Sequence, residues 1–380
     1  MKLSIYAKNM KKRYKQNNHG SMRRTSRIYL NDLNKSKSDT MRVFLNLYQN
    51  IINYCICLFW SASDFTENLA DKGITKSIEE RFGVTARLSQ CTSKQAKEIV
   101  RSQMKKSKRS QRMPRFKSHM ANLDSRFVEI EKFNGHFEIC IKTGSGVPKM
   151  VIPFNWTKHT NKFRDNGWTL SNSVRLGYDK KGIFIDLIFE KEKTPLRQEG
   201  NVMGVDRGFN CMIACSNGQM IGKGLKEIIK KGGKRRKSYH HFIETETNRC
   251  LKQLDTDNIK LIALEELKNV KANKRGKFSR KVNRLLSFWH YARVGKRLEQ
   301  LCEEKGICIA HKSPWKTSQR CSVCGNIDRR NRKGERFLCL KCESEMNADY
   351  NASKNLELLG LAGVYSLRSL TNNFVGNKSL

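Results

Sequence analysis

The stretch Val202-Met203-Gly204-Val205-Asp206-Arg207-Gly208 is a short apolar strand that ends on an acid, and the fold of the chain is read outward from it. A carboxylate in that position is costly to desolvate and calls for a partner or a cation. Downstream, Cys211–Cys215, the turn Asn217-Gly218 and Met220-Ile221 predict a hairpin, because Asn-Gly readily adopts the backbone that tight turns need. A second apolar strand, Leu261-Ile262-Ala263-Leu264, again ends on an acid, Glu265. A third acid, Asp349, lies in Asn347-Ala348-Asp349-Tyr350-Asn351, with a last helix beginning near Asn351. Three such acids can converge on two divalent ions, which at roughly 3.5 to 4 Å apart need shared carboxylates to activate a water and stabilise the leaving oxygen of a phosphodiester. Taken singly, Asp206 also reads as a turn residue, Glu265 as a solvated strand end and Asp349 as a helix N-cap.

The strongest local signal is Cys321-x-x-Cys324 and Cys339-x-x-Cys342, separated by fourteen residues. Each pair can turn two thiolates toward one point, and four thiolates complete a closed tetrahedral zinc site. Such a site stabilises a module too small to bury a core, so catalysis must be sought elsewhere. The thirteen cysteines are an odd number, and no stretch at the start reads as a signal peptide. A reducing, cytoplasmic setting with one structural metal fits this better than a secreted disulfide framework. The most apolar stretch, Val43 to Trp60, is interrupted by Asn46, Gln49, Asn50 and Asn53, so no membrane segment is read.

Seventy-five Lys+Arg against thirty-five Asp+Glu leave a formal charge of +40 on 380 residues. That excess is the footprint of a polyanionic partner, because counterions released from many phosphates would supply much of the affinity. A ribosomal-type protein or a basic tail is the plainer reading of charge alone, but at 38% hydrophobic residues the chain can bury real cores in two or three domains. The basic residues come in runs. Residues 1–38 hold eleven Lys/Arg and one acid, with possible edge strands at Lys2–Ala7 and Arg27–Leu30. Arg101–Lys117 holds eight and no acid, including Lys105, Lys106, Lys108 and Arg109. Lys223–His241 has eight and one acid, and Lys268–Arg284 eight and none, with Arg235, Arg236, Lys274 and Arg275 among them. A solvated helix face usually explains one such run; their repetition points to phosphate binding.

Helical spacing of Val43, Phe44, Leu47, Tyr48, Ile51, Ile52, Cys55, Leu58 and Phe59 predicts a core-facing helix from Asp39 or Thr40. A second helix is expected over Thr85–Met104. After Pro114 the period changes to two, in Phe127–Ile130, His136–Ile141, Met150–Phe154, Ser173–Leu176 and Ile183–Phe189, which predicts a small antiparallel barrel or sandwich. Thr194 to Gly200 reads as a linker. Further on, basic helical stretches are expected over Lys223–Leu254, a long helix from about Asn283 to Glu304, and a strand at Cys308–His311.

Gly204-Val205-Asp206-Arg207-Gly208, Leu264-Glu265-Glu266-Leu267 and Asn347-Ala348-Asp349-Tyr350-Asn351-Ala352 resemble the three RuvC segments of TnpB, the transposon-encoded nuclease, and of its descendants, the type V CRISPR effectors. Thr317-Ser318-Gln319-Arg320-Cys321-Ser322-x-Cys324-Gly325 resembles the start of that family's zinc ribbon, inserted between the second and third acidic segments. The order acid, acid, ribbon, acid is more specific than any one motif. The resemblance runs from about Gly200 to Leu356; upstream, the helices and Met113-Pro114-Arg115-Phe116-Lys117 are similar to the family's recognition lobe, less specifically. Arg207 departs from the usually apolar position after the first Asp.

The resemblance implies a multidomain α+β and α/β chain: a wedge-like β-barrel from 1–38 and 114–195, an inserted helical recognition bundle at 39–113, and an RNase-H-like RuvC nuclease domain at 196–314 and 343–360. A zinc ribbon at 315–342 interrupts that domain, and 361–380 is expected to be a flexible tail. The implied activity is RNA-guided DNA cleavage by Asp206, Glu265 and Asp349 with two Mg²⁺, beside a structural Zn²⁺ on Cys321, Cys324, Cys339 and Cys342. The implied partners are a guide noncoding RNA, which reads sequence by base pairing, and target double-stranded DNA, bound by a monomer in a prokaryotic cytoplasm. The rival readings are a miniature type V effector using CRISPR RNA, a non-catalytic zinc-ribbon repressor and a guide-free RuvC resolvase. The presence of all three acids disfavours the repressor.

Overall fold

The computed structural model describes residues 20–61, 72–107, 110–133, 136–141, 150–164, 166–208, 211–224, 236–267 and 291–370. The piece expected as a strand at Lys2–Ala7, and Lys108, Arg109, Arg235, Lys274 and Arg275, lie outside them. The chain divides into two compact units, Ser21–Glu192 and a second that contains Lys193–Leu380.

The first unit runs β1 (Ser21–Tyr29), α1 (Lys35–Ser61), α2 (Lys72–Phe82), α3 (Ala86–Met104), β2 (Met120–Leu123), β3 (Val128–Phe133), β4 (His136–Ile141), β5 (Met150–Phe154), a single turn α4 (Lys158–Asn161), β6 (Thr169–Asp179) and β7 (Gly182–Glu192). Its strands form two antiparallel sheets, ordered β1-β7-β6-β2 and β3-β4-β5. Helix α1 buries Met41, Phe44, Leu45, Tyr48, Ile51 and Ile52 in a core shared with Leu88 and Val100 of α3 and with Leu176 and Ile185 of the larger sheet. The helical face is therefore rotated from the one expected: Val43 is 68% exposed, and Met41 and Leu45 take the core positions. By length and composition α1 is apolar enough to cross a bilayer. Its polar interruptions have other work, since Asn53 exchanges hydrogen bonds with the Phe116 backbone (3.0 and 2.8 Å) and Gln49 donates to the Ser118 carbonyl (3.2 Å).

The second unit runs β8 (Asn201–Asp206), β9 (Ile213–Cys215), β10 (Met220–Ile221), α5 (Arg236–Lys252), β11 (Ile259–Glu265), α6 (Tyr291–Lys305), β12 (Cys308–Lys312), the three short strands β13 (Arg332–Lys333), β14 (Arg336–Leu338) and β15 (Glu345–Asn347), and α7 (Ala348–Leu361). The main sheet is ordered β10-β9-β8-β11-β12; β8, β11 and β12 are parallel, while β9 and β10 pair antiparallel at one edge. Both faces are covered, as a parallel sheet requires. Met203, Val205, Ile262 and Leu264 pack with Ile243 of α5 and Val294 and Leu298 of α6. On the opposite face Ala263 and Leu261 meet Leu356 and Leu359 of α7.

The flexible tail expected from 361 is corrected through residue 370. Val364 and Leu367 are buried in the α7 cluster, and the buried Lys312 ammonium donates to the Val364 carbonyl at 2.9 Å. Two apolar side chains in a turn are too short a pattern to read as structure, yet enough to anchor a strap once a sheet face is there to receive them.

Candidate active site

Strand register brings the first two acids together. In the parallel pairing Val205 is opposite Leu264, so Asp206 and Glu265 follow each other off adjacent carboxyl ends. Side chains alternate along a strand. With Val205 and Leu264 facing α5 and α6, the residues Gly204 and Asp206, and likewise Ala263 and Glu265, face α7.

The glycine explains how the third acid arrives. A β-carbon at Gly204 would lie 1.9 Å from the Ser353 carbonyl oxygen and 2.4 Å from the Glu357 nitrogen, so the backbone of α7 rests directly on β8. At the far end Gly360 makes a similar approach, its β-carbon position being 2.7 Å from Val202 Cγ1. Helix α7 thus runs from the carboxyl end of β8 to its amino end, and its first turn delivers Asp349 beside Asp206. Asn347 is the N-cap, its Oδ1 accepting from the Asp349 and Tyr350 amides at 2.9 and 3.2 Å. The helix therefore starts at Ala348, three residues before the expected position, and the N-cap reading of Asp349 gives way to a first-turn carboxylate at the positive end of the helix.

Asp206 and Asp349 are only 9% and 5% exposed. Burial, followed by the negative charges of Glu265 and Asp349, pushes the Asp206 carboxyl well above its ordinary range; the Arg332 charge and the Arg207 backbone N–H oppose this. Arg332 belongs to β13, and its Nη2 donates to Asp349 Oδ1 at 2.9 Å. Arg207 is buried too, donating from Nη1 to the Tyr291 carbonyl (2.9 Å) and from Nη2 to the Glu265 carbonyl (2.5 Å). Neither arginine was given a role by sequence reasoning. Arg207 carried a usable signal, a charge one step past a buried strand end; Arg332 carried none, because its target lies seventeen residues away, beyond β14, the second cysteine pair and β15.

The four cysteines meet as expected, with sulfurs all within 4.8 Å of one another, a closer grouping than the three acids make and one that could hold zinc. The two halves of the ribbon repeat one knuckle. Gly325 and Glu343 donate to the Cys321 and Cys339 carbonyls (3.0 and 2.9 Å), while the Cys321 and Cys339 amides donate to Asn326 and Ser344 oxygens (2.8 and 3.0 Å). The residue after each second cysteine is left-handed, at φ +78° for Gly325 and +57° for Glu343. Hydrogen bonds from the Ser344 hydroxyl and amide help hold the exposed Cys342 thiol down at about 6, in favour of the thiolate.

The ribbon is fastened to α7 by two buried asparagines. Asn351 donates to the Arg320 carbonyl (2.8 Å) and accepts from the Ser322 amide (2.9 Å). Asn355 donates to the Thr317 and Arg320 carbonyls (3.0 and 2.8 Å) and accepts from Arg320 Nη1 (2.8 Å). Beside Arg332 a cleft of about 430 Å³ is lined by Ser318, Gln319, Arg329, Arg332 and Gly334. Of the basic residues named from sequence, Lys105 and Lys106 are exposed at the end of α3 in the other unit, and Arg236 opens α5.

Residues 291–356 match a sequence-family profile described as Cas12f1-like, TNB domain. The CRISPR-associated endodeoxyribonuclease Cas12f1 of Sulfoacidibacillus thermotolerans is 44% identical over 77 residues, 20% of this chain and 18% of that protein. A TnpB-like protein of Aquifex aeolicus is 26% identical over 215 residues, 56% of this chain and 62% of its own length. The chain thus spans less than two thirds of either relative. Among solved structures, a Cas12f1-sgRNA-target DNA complex contains a chain that superposes with a TM-score of 0.56 at 16% identity, covering 85% of this chain and 83% of that one; the likeness is one of multidomain fold. These matches bear out the resemblance to TnpB and the miniature type V effectors.

Proposed function

We propose that the protein is an RNA-guided DNA endonuclease of the TnpB kind, cutting with Asp206, Glu265 and Asp349 and guided by a transposon-encoded noncoding RNA. The observation that carries this reading is the gathering of three acids, distant in sequence, at the carboxyl ends of the parallel strands β8 and β11, where α/β folds place their sites. On this reading the sheet and its helices are the RNase-H-like RuvC domain, residues 315–342 its ribbon, and the first unit the wedge and recognition parts.

The donor set fits Mg²⁺: hard carboxylate oxygens, two of them on nearly buried side chains whose mutual repulsion a cation would relieve. Bound there, two such ions would activate a water and stabilise the leaving oxygen of the scissile phosphodiester. Asp206 and Glu265 would hold the metals from the strand ends and Asp349 from the helix, the latter kept in line by Asn347 and Arg332. The cleft of Arg329 and Arg332 offers two guanidinium groups to phosphates of the strand entering the site. Exposed Lys105 and Lys106 would serve RNA in the other unit, and the +40 charge suits a protein that grips backbones and leaves sequence to base pairing.

A second reading, a miniature type V effector using CRISPR RNA, is favoured by the 44% identity to a Cas12f1 protein. Sequencing the RNA that co-purifies with the protein separates the two. Reconstituted with that RNA, the protein should cut double-stranded DNA where the guide portion pairs, and a changed guide should move the cut. Cleavage of branched DNA by RNA-free protein, indifferent to added guide, would overturn both.

A further inference from the structure

Arg207 follows the first acid of the site, and at 8% exposure its guanidinium is committed to the interior. Two of its nitrogens are spent on carbonyls of different elements: Nη2 on Glu265, the last residue of β11, and Nη1 on Tyr291, the first residue of α6. Among the described residues its Nε has no hydrogen-bond partner. A buried donor without a partner is costly, so a guanidinium that leaves one is held by its other contacts. The helix opposite is shaped to receive it. Gly295 sits inside α6, where alanine would be the better helix former, and a β-carbon there would lie 2.3 Å from Arg207 Nη1. The glycine thus opens a slot on the helix face, and the guanidinium fills it.

We propose that Arg207 is a positioning residue, a wedge seated in the Gly295 slot that fixes the Glu265 end of β11 against Asp206 and ties it to the start of α6. Without it the Glu265 carbonyl loses the guanidinium donor that links it to α6, and the strand end can shift relative to β8. A shift of about 1 Å at a reacting centre can cost on the order of 100-fold in rate. The proposal rests on the nuclease reading for its catalytic consequence, not for its structural one.

Two substitutions reach the wedge from opposite sides. Arg207→Met removes the guanidinium and keeps a long apolar side chain. Gly295→Ala leaves the arginine intact, favours the helix, and pushes aside only the far end of a flexible side chain. With full-length protein reconstituted with its RNA, single-turnover cleavage at saturating Mg²⁺ should fall about 10- to 100-fold for Arg207→Met and several-fold for Gly295→Ala. Guided DNA binding should stay within about twofold of the unsubstituted protein, and the double variant should be no slower than Arg207→Met alone, because both act through one contact. Amide hydrogen exchange supplies a readout independent of activity. In both variants protection should drop at 262–267 and 291–296 and hold in the ribbon and α7. Arg207→Lys, which keeps charge and loses the fork, should recover no more than part of the rate. The proposal is overturned if Gly295→Ala exchanges and cleaves as the unsubstituted protein does while Arg207→Met is impaired, or if protection is lost throughout the sheet. If the unsubstituted complex does not cleave, the nuclease reading falls, and the exchange comparison still decides the role of Arg207.

Discussion

The four cysteines and the three acids are both clusters of metal-ligating residue types, built in opposite ways. The four cysteines come from 22 consecutive positions, Cys321 to Cys342, and each pair is aimed by its own knuckle. The three acids come from β8, β11 and α7, and only strand register and a helix lying on a glycine bring them together. One cluster is local and the other tertiary. Asp349 sits on a helix that Asn351, Asn355 and Arg332 tie to the ribbon, whereas among the described residues no hydrogen bond joins Cys321, Cys324, Cys339 or Cys342 to the side chain of Asp206, Glu265 or Asp349. Disturbing the ribbon should therefore damage the acid site, and disturbing the acids should leave the ribbon whole.

The largest effect should follow removal of zinc. Coordination by four thiolates contributes on the order of 10 kcal/mol to folding of such modules, so chelation or Cys339→Ser should melt 315–347 and abolish cleavage through loss of Asp349. Elemental analysis should find one zinc per chain before treatment and none after. A fully active zinc-free protein would break the asymmetry.

Gly204→Ala tests the tertiary side. Its methyl group would have to displace the backbone of α7, and we expect a loss of about 3 kcal/mol or more in urea unfolding, with zinc content unchanged. Tolerance of alanine would mean that the helix does not rest on β8 as closely as described.

Much of the local cluster was legible from spacing alone, because both knuckles are short and each carries its turn residue or its equivalent. Asp206 and Glu265 were legible as acids ending apolar strands, and β8, β9 and β11 followed from the same stretches. What sequence did not reveal depends on contacts made across distance. Arg207 and the two asparagines point at distant backbone groups and Arg332 at the Asp349 carboxylate, targets that no local pattern predicts. Val43 was assigned to the core face of α1 since apolar residues flank it, and only the sheet behind the helix settles which of two overlapping stripes is buried. Helix α2 escaped notice because its eleven residues carry few apolar positions.

Asn355→Ala should have a smaller effect. It leaves the Thr317 and Arg320 carbonyls without that donor and should cost about 2 kcal/mol in urea unfolding, with a reduced cleavage rate that tracks the loosening of α7. An unchanged midpoint would show that the ribbon and helix are joined by other contacts. The smallest effect sharpens the comparison within the ribbon itself. Glu343 holds by necessity the left-handed conformation that Gly325 adopts freely, so Glu343→Gly should stabilise the module by up to about 1 kcal/mol and Gly325→Ala should destabilise it by about as much. Thermal melting of the zinc-loaded protein reads both; equal shifts of the same sign would contradict the knuckle symmetry.

Near-isosteric neutral substitution asks whether the three gathered acids are the cutting site. Asp206→Asn, Glu265→Gln and Asp349→Asn, each reconstituted with the RNA that co-purifies with the protein, should keep guided DNA binding and the bound zinc while cleavage falls at least 1000-fold, the loss of metal-holding oxygens costing about 4 kcal/mol or more of transition-state stabilisation. Cleavage at an undiminished rate in any one of the three would remove that residue from the site, and in all three would place the chemistry elsewhere.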